Sequence, residues 1–503
     1  MNGSSSSFDE LRARLAEIHY LGRAKALLDW DERTMMPPGG AEARAEQLAT
    51  LVRVQHEKLA SEELGRLLAE VEPFGEELHY DSDEAALIRV AKRDHEKSRR
   101  VPVELRAAIA RASSIAEHAW RQARARSDFE HFLPHLERNI YLKLRYVHCF
   151  EREDPYDPLL DDYEPGMTTA EVAQVLSDLK EALVPLVAEV SERTAAVDDS
   201  LLGKRFPVER QREVVRRMLH ALPMPSDSWR LDETTHPFQL SMSPTDVRLT
   251  TRYDERGLAS IFAGLHEYGH GLYENGVDPA LDGTPLGKPT SLGLHESQSR
   301  MWENLIGRNV PFWRHFYGLL TAAFPNELDG TGPEDFCRAV NKVQPSLIRI
   351  EADELTYDLH ILLRFELERE LIGGTLEPRD LPAAWNERVR SYLGIAVPDD
   401  AHGVLQDVHW ADAAFGYFPT YSLGNLIAGQ LWQSVRDEIP DMDDQIDRGE
   451  LVPLRDWLRE HVHRHGRKFT SDELLERITG RAIEVAPYVD YLKRKFGAIY
   501  EIG

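Results

Sequence analysis

Across 503 residues there are two cysteines, Cys149 and Cys337. Two isolated thiols build no disulfide framework and no cysteine-rich zinc module, and they suit a reducing cytosol. No apolar run approaches the roughly 18 residues that a membrane helix needs. The stretch from Met1 to Glu10 has neither the basic nor the apolar segment of a signal peptide. Positive charge is also scarce: Lys+Arg total 60 against 86 Asp+Glu, a formal net charge of −26. Such an acidic surface argues against nucleic acid or an anionic membrane as the main partner and serves solubility instead. No internal repeat and no convincing linker stand out. The expectation is a cytoplasmic protein with one mainly helical unit over residues 1–503, with room for two lobes.

What the sequence does have is helical periodicity. Leu11, Leu15, Ile18, Leu21, Leu27 and Leu28 recur near period 3.6, which predicts a helix over 8–30. Pro37-Pro38-Gly39-Gly40 ends it, and a second helix follows over 41–59. Thr168 with Glu171 predicts a capping box at a helix start. The one departure lies at 236–253, where Val247, Leu249, Thr251 and Tyr253 alternate with Arg248, Thr250 and Arg252. That period of two predicts a short β-hairpin. Its edge could accept an extended peptide, or it could simply close the core.

The helix expected next, over 257–275, carries His266-Glu267-Tyr268-Gly269-His270. Two imidazoles four residues apart stand on one helical face and can share one tetrahedral metal, the H-E-x-x-H pattern of zinc peptidases. Glu267 is rotated about 100° from His266 and can sit beside the metal. Leu258, Ile261, Phe262, Leu265 and Leu272 form the apolar stripe of the same helix. Catalytic zinc usually takes three protein ligands and keeps a position for water. Glu296, in a helix expected over 292–309, supplies the third. Glu303 lies two turns further on the same face, either orienting a ligand or facing solvent. His295 points elsewhere and is not counted. A bound Zn2+ acidifies water and polarises a carbonyl, and Glu267 is the candidate general base and acid.

Several further motifs resemble one family. They are His236-Pro237-Phe238 (HPF), Asp246-Val247-Arg248-Leu249-Thr250 (DxRxT), HExxH itself and His295-Glu296-Ser297-Gln298 (HES-Q). Ile348-Arg349-Ile350-Glu351-Ala352-Asp353 (IRxxAD) and the segment 403–410 (GxxQDxHW) complete the set, with Leu28-Asp29-Trp30-Asp31 near the start. In this order they resemble the carboxypeptidase Taq family of zinc-dependent metallocarboxypeptidases over nearly the whole chain. Tyr268 departs from the small residue expected inside HExxH.

The resemblance implies a mainly α zincin with a deep groove, similar to neurolysin and angiotensin-converting enzyme. It implies His266, His270 and Glu296 as metal ligands and Glu267 as catalyst. It implies stepwise removal of C-terminal residues, with broad specificity that commonly excludes proline, and usually a homodimer. Zn2+ is the expected metal, with Co2+ as an alternative. An exopeptidase must grip a free carboxylate, for which a guanidinium is suited. Arg349 is the candidate, on a helix expected over 346–369 where Arg349, Asp353, Thr356 and His360 would form a polar stripe. Arg248 holds substrate or braces the hairpin. Tyr421, Tyr417, His236 and His409 are candidate oxyanion donors, Tyr421 preferred. His461, His463 and His465 read as a basic helix end. The rivals are an endo-oligopeptidase or dipeptidyl carboxypeptidase of the same fold, and a di-iron carboxylate bundle using Glu267-x-x-His270.

Overall fold

A computed structural model describes residues 2–502. It is mainly helical, with one three-stranded sheet among the described residues. The chain divides into two compact units. One comprises Met1–Arg99, Ser200–Cys337 and Leu431–Gly480; the other comprises Arg100–Asp199, Arg338–Gln430 and Arg481–Gly503. No helix among the described residues is long and apolar enough to cross a membrane.

The first unit opens with a helix at Asn2–Thr34, broken at the expected prolines and glycines, and continues with a helix at Ala41–Leu59. Leu11, Leu15 and Ile18 pack with Leu64, Leu68 and Val71 of the helix Glu62–Glu77, burying one stripe of each. The expected hairpin is part of a larger sheet. Strands β1 (Trp229–Glu233), β2 (Gln239–Ser243) and β3 (Asp246–Thr251) run in the order β1-β3-β2. β3 pairs antiparallel with β2 and parallel with β1. Thr250 joins two sequence motifs, since its hydroxyl donates to the Phe238 carbonyl and accepts from the Phe238 amide, each at 2.7 Å. The outer edge of β2 is not open throughout: Arg23 of the first helix donates to the Ser241 carbonyl at 2.6 Å.

The helix Ala259–Gly276 lies against this sheet and is buried on most of its circumference. Gly271 is what lets it approach. A Cβ there would meet Leu249 and Val247 of β3 at 2.8 Å.

In the second unit, the helix Thr169–Ser191 starts with the capping box of Thr168 and Glu171. The continuous helix expected over 346–369 is not formed. A single 3-10 turn spans Arg349–Glu351, and a regular helix begins at Tyr357 and runs to Gly373. The reason is Asp353. Its carboxylate accepts the amides of Leu355 and Thr356, both at 3.0 Å, and the Thr356 hydroxyl at 2.9 Å, ending one segment and starting the next. The polar stripe therefore does not exist as a helical face.

Candidate metal centre

His266 and His270 stand one turn apart on the helix Ala259–Gly276, as their spacing requires. Glu296 comes from the helix Leu292–Arg300, which packs against it. The approach is close because position 269 has no side chain: a Cβ there would lie 2.4 Å from the Gln298 carbonyl oxygen. One donor atom from each of His266, His270 and Glu296 lies within 4.8 Å of the others. Glu296 Oε2 is 3.6 Å from His266 Nε2 and 3.4 Å from His270 Nε2.

The opposite atom of every one of these groups is held by a second partner. His266 Nδ1 meets Glu303 Oε2 at 2.8 Å. His270 Nδ1 meets the His295 backbone carbonyl at 3.1 Å. Glu296 Oε1 accepts from Arg300 Nε at 2.6 Å. Metal-binding imidazoles are oriented in this way, with the distal nitrogen on a carboxylate or carbonyl and the other aimed at the ion.

Glu303 is therefore not a solvated carboxylate. It sits in a π-helical turn, Met301–Ile306, that follows directly on the helix of Glu296. π-Turns are rare and recur at functional sites. His295, set aside on sequence grounds, stacks on His270 with ring centroids 4.1 Å apart.

The electrostatics favour a cation. Burial alone would lower the His266 pKa, yet Glu296, Glu303 and Glu267 together raise it to about 9. Burial would also raise Glu296, but Arg300, His266 and His270 hold it well below the usual carboxylate range. Glu303 is likewise brought down to about 2 against burial, by His266, Arg300 and Arg308. Glu267 is the exception, pushed upward chiefly by burial. Two imidazole nitrogens and one carboxylate oxygen form the donor set of a catalytic zinc site, so these residues fit a divalent ion.

Tyr268 faces away from the donor atoms. It is fully buried with its ring edge-on to Trp302, centroids 5.0 Å apart, and its hydroxyl has no hydrogen-bond partner. His463 is not part of a basic helix end either. It is buried, stacked on Tyr273, 2.8 Å from Gln298 Oε1, and lowered to about 3 by burial.

The remaining sequence-predicted residues of this unit lie elsewhere. His236 is exposed. Arg248 pairs with Asp246 through Nε at 3.0 Å and Nη2 at 3.1 Å and lies over the Trp30 ring at 4.7 Å, which is a bracing arrangement.

In the other unit, Arg349, Asp407, His409 and Tyr421 do come together. Arg349 Nη2 donates to Asp407 Oδ1 at 2.8 Å and Nη1 donates to the Tyr357 hydroxyl at 3.1 Å. The Tyr421 ring lies 5.1 Å below the Arg349 guanidinium and 6.4 Å from the His409 ring. Asp353 is not in this hydrogen-bonded group; its acceptors serve the backbone turn described above. Sequence reasoning missed Arg364, which is fully buried and donates Nε to Asp407 Oδ2 at 2.6 Å and Nη2 to Gln406 at 2.7 Å. Burial lowers His409 to about 4 and His360 to about 3. Two guanidiniums beside one carboxylate and two neutral imidazoles leave this buried cluster positively charged.

A family model for the carboxypeptidase Taq (M32) metallopeptidases matches residues 10–496. The chain belongs to that family. Thermostable carboxypeptidase 1 of Thermus thermophilus is 44% identical over 497 residues, spanning 96% of this chain and 97% of the relative. Carboxypeptidase 1 of Bacillus subtilis is 40% identical, spanning 97% of each. Among solved structures, an M32 carboxypeptidase from Deinococcus radiodurans R1 matches with a TM-score of 0.94 at 39% identity, covering 99% of this chain and 100% of that one.

Proposed function

We propose that this chain is a metal-dependent carboxypeptidase that removes residues one at a time from the free C-terminus of peptides. The observation that carries this is the convergence of His266, His270 and Glu296 donor atoms within 4.8 Å in a chain of the carboxypeptidase Taq family. His266, His270 and Glu296 would hold the ion, which supplies Lewis acidity by acidifying water and polarising the scissile carbonyl. Glu267 takes the proton from water and returns it to the leaving amine. Its burial supports that role, because a carboxyl taken out of water holds a proton more readily.

Arg349 is our candidate for the substrate's terminal carboxylate. Three of a guanidinium's five N–H donors are directed at Asp407 and Tyr357, which fixes its plane and leaves two for a ligand. The excess positive charge of the Arg349–Arg364–Asp407 cluster favours an anion there. Tyr421 and His409 are proposed to polarise the carbonyl oxygen, and His236, Arg248 and Asp353 to contact substrate. Of these last three, His236 is exposed, Arg248 pairs with Asp246 and Asp353 accepts backbone amides. Zinc as the native metal with cobalt as a substitute, a cytoplasmic location, a homodimer and a deep groove like that of neurolysin or angiotensin-converting enzyme complete the proposal. These rest on the family resemblance.

The test is mass spectrometry of one peptide with free and amidated C-termini, before and after chelation. Stepwise loss from the free end alone, abolished by chelator and restored by Zn2+ or Co2+, is expected. Internal cleavage or loss of dipeptides would sink the exopeptidase reading.

A further inference from the structure

The two oxygens of Glu296 face different partners. Oε2 points at the two imidazole Nε2 atoms and also receives the Ser299 hydroxyl at 3.1 Å. Oε1 is held by Arg300 Nε at 2.6 Å, a short charge-assisted bond. Arg300 is one turn beyond Glu296 and its side chain is only 11% exposed. Its Nη1 lies 3.7 Å from Glu303 Oε2, the same oxygen that meets His266 Nδ1. One guanidinium thus spans the carboxylates on both edges of the His266 ring.

We propose that Arg300 is a positioning residue that restricts Glu296 to a single metal-facing oxygen. A carboxylate can bind an ion through one oxygen or both. A catalytic site needs positions left for water and the substrate carbonyl, and a second Glu296 oxygen would occupy one of them. By engaging Oε1, Arg300 keeps that position open. A lysine would keep the charge but not the planar fork that reaches Oε1 and Glu303 together. The inference rests on His266, His270 and Glu296 being the ligands, as proposed above.

The experiment loads the metal-free full chain with one equivalent of Co2+ and records its visible absorption, which is intense for four-coordinate and weak for five-coordinate Co2+. The wild type is expected to give the intense spectrum. Arg300→Met and Arg300→Lys are both expected to lose it several-fold, with Co2+ still bound one to one. A wild-type spectrum in either variant, or a five-coordinate spectrum in the wild type, overturns the proposal. Circular dichroism checks folding; should Arg300→Met fail to fold, Arg300→Lys, which keeps the charge that Glu296 and Glu303 require, decides the matter. His266→Ala separates the two layers: retention of one tight equivalent of Co2+ by that variant refutes the ligand assignment itself, whatever Arg300 does.

Discussion

Glu303 Oε2 meets His266 Nδ1 at 2.8 Å, while Glu296 Oε2 lies 3.6 Å from Nε2 on the opposite edge of the same ring. The imidazole is thereby held in plane between two carboxylates, with Nδ1–H donated to Glu303. Glu303→Ala is expected to weaken metal binding by roughly 10–100-fold, and Glu303→Gln, which can still accept from Nδ1–H, by less. Competition with a chromophoric chelator measures it. Unchanged affinity in the alanine variant would remove Glu303 from the site.

Gly269 is the contact that sets the spacing between the helix of the two histidines and the helix of Glu296. A methyl at this position would push against backbone atoms, the Gln298 carbonyl oxygen at 2.4 Å and the Ser299 Cα at 2.7 Å. Gly269→Ala should therefore cost about 2–4 kcal/mol of stability and weaken metal binding at the same time. Chemical denaturation and chelator competition on the same sample check both effects.

Tyr268 supplies buried volume against Trp302, and its hydroxyl pairs with nothing. Tyr268→Phe is expected to be neutral or stabilising by up to about 1 kcal/mol, because a buried unsatisfied hydroxyl is removed without opening a cavity. Metal affinity should not change. A loss of metal affinity in thermally stable Tyr268→Phe would show that the hydroxyl serves the site after all.

For Arg349, truncation tests recognition of the carboxylate. Arg349→Ala should lower kcat/KM on peptides with a free C-terminus by roughly 2–5 kcal/mol, the range for truncating a hydrogen-bonded charge pair. Metal binding, measured independently, should be untouched. Equal kcat/KM for the variant and the wild type would assign the residue to structure alone.

Glu368 predicts a pH dependence of stability. It accepts from the Tyr156 hydroxyl at 2.6 Å, Trp410 Nε1 at 2.8 Å and the Gly416 amide at 3.0 Å. Burial nevertheless raises it from 4.5 to about 7. Between those values the unfolded chain releases a proton that the folded chain keeps. The group's contribution is therefore fully present below about pH 4.5 and is lost as pH rises through about 7, on the order of 3 kcal/mol in all. Denaturation midpoints across this window should show that fall for the wild type and a flatter profile for Glu368→Gln. The variant carries a constant offset because its amide faces N–H donors.

Local pattern alone determined a good part of this protein. The i,i+4 spacing of His266 and His270, the i,i+7 spacing of Glu296 and Glu303, the capping box at Thr168 and the break after the first helix are all written within one or two turns of chain. Helical geometry turns such spacings into shared faces without help from elsewhere. Arg300 is legible in the same way, as the i+4 partner of Glu296. β1 also left a trace, with Trp229 and Leu231 alternating with Arg230 and Asp232, but a five-residue run is too short to separate from a turn. Only the tertiary structure decided the rest. Asp353 interrupts a helix whose periodicity looked continuous, because its carboxylate binds amides that a helix would have left to the backbone. Glu303 and His295 changed from surface or spectator residues to half-buried partners of the site, and His463 to a buried neighbour of Gln298. Their counterparts are separated from them by 25 to 165 positions in the chain. Which distant side chain fills a hydrogen-bonding position depends on how helices and strands pack, and no local periodicity records that.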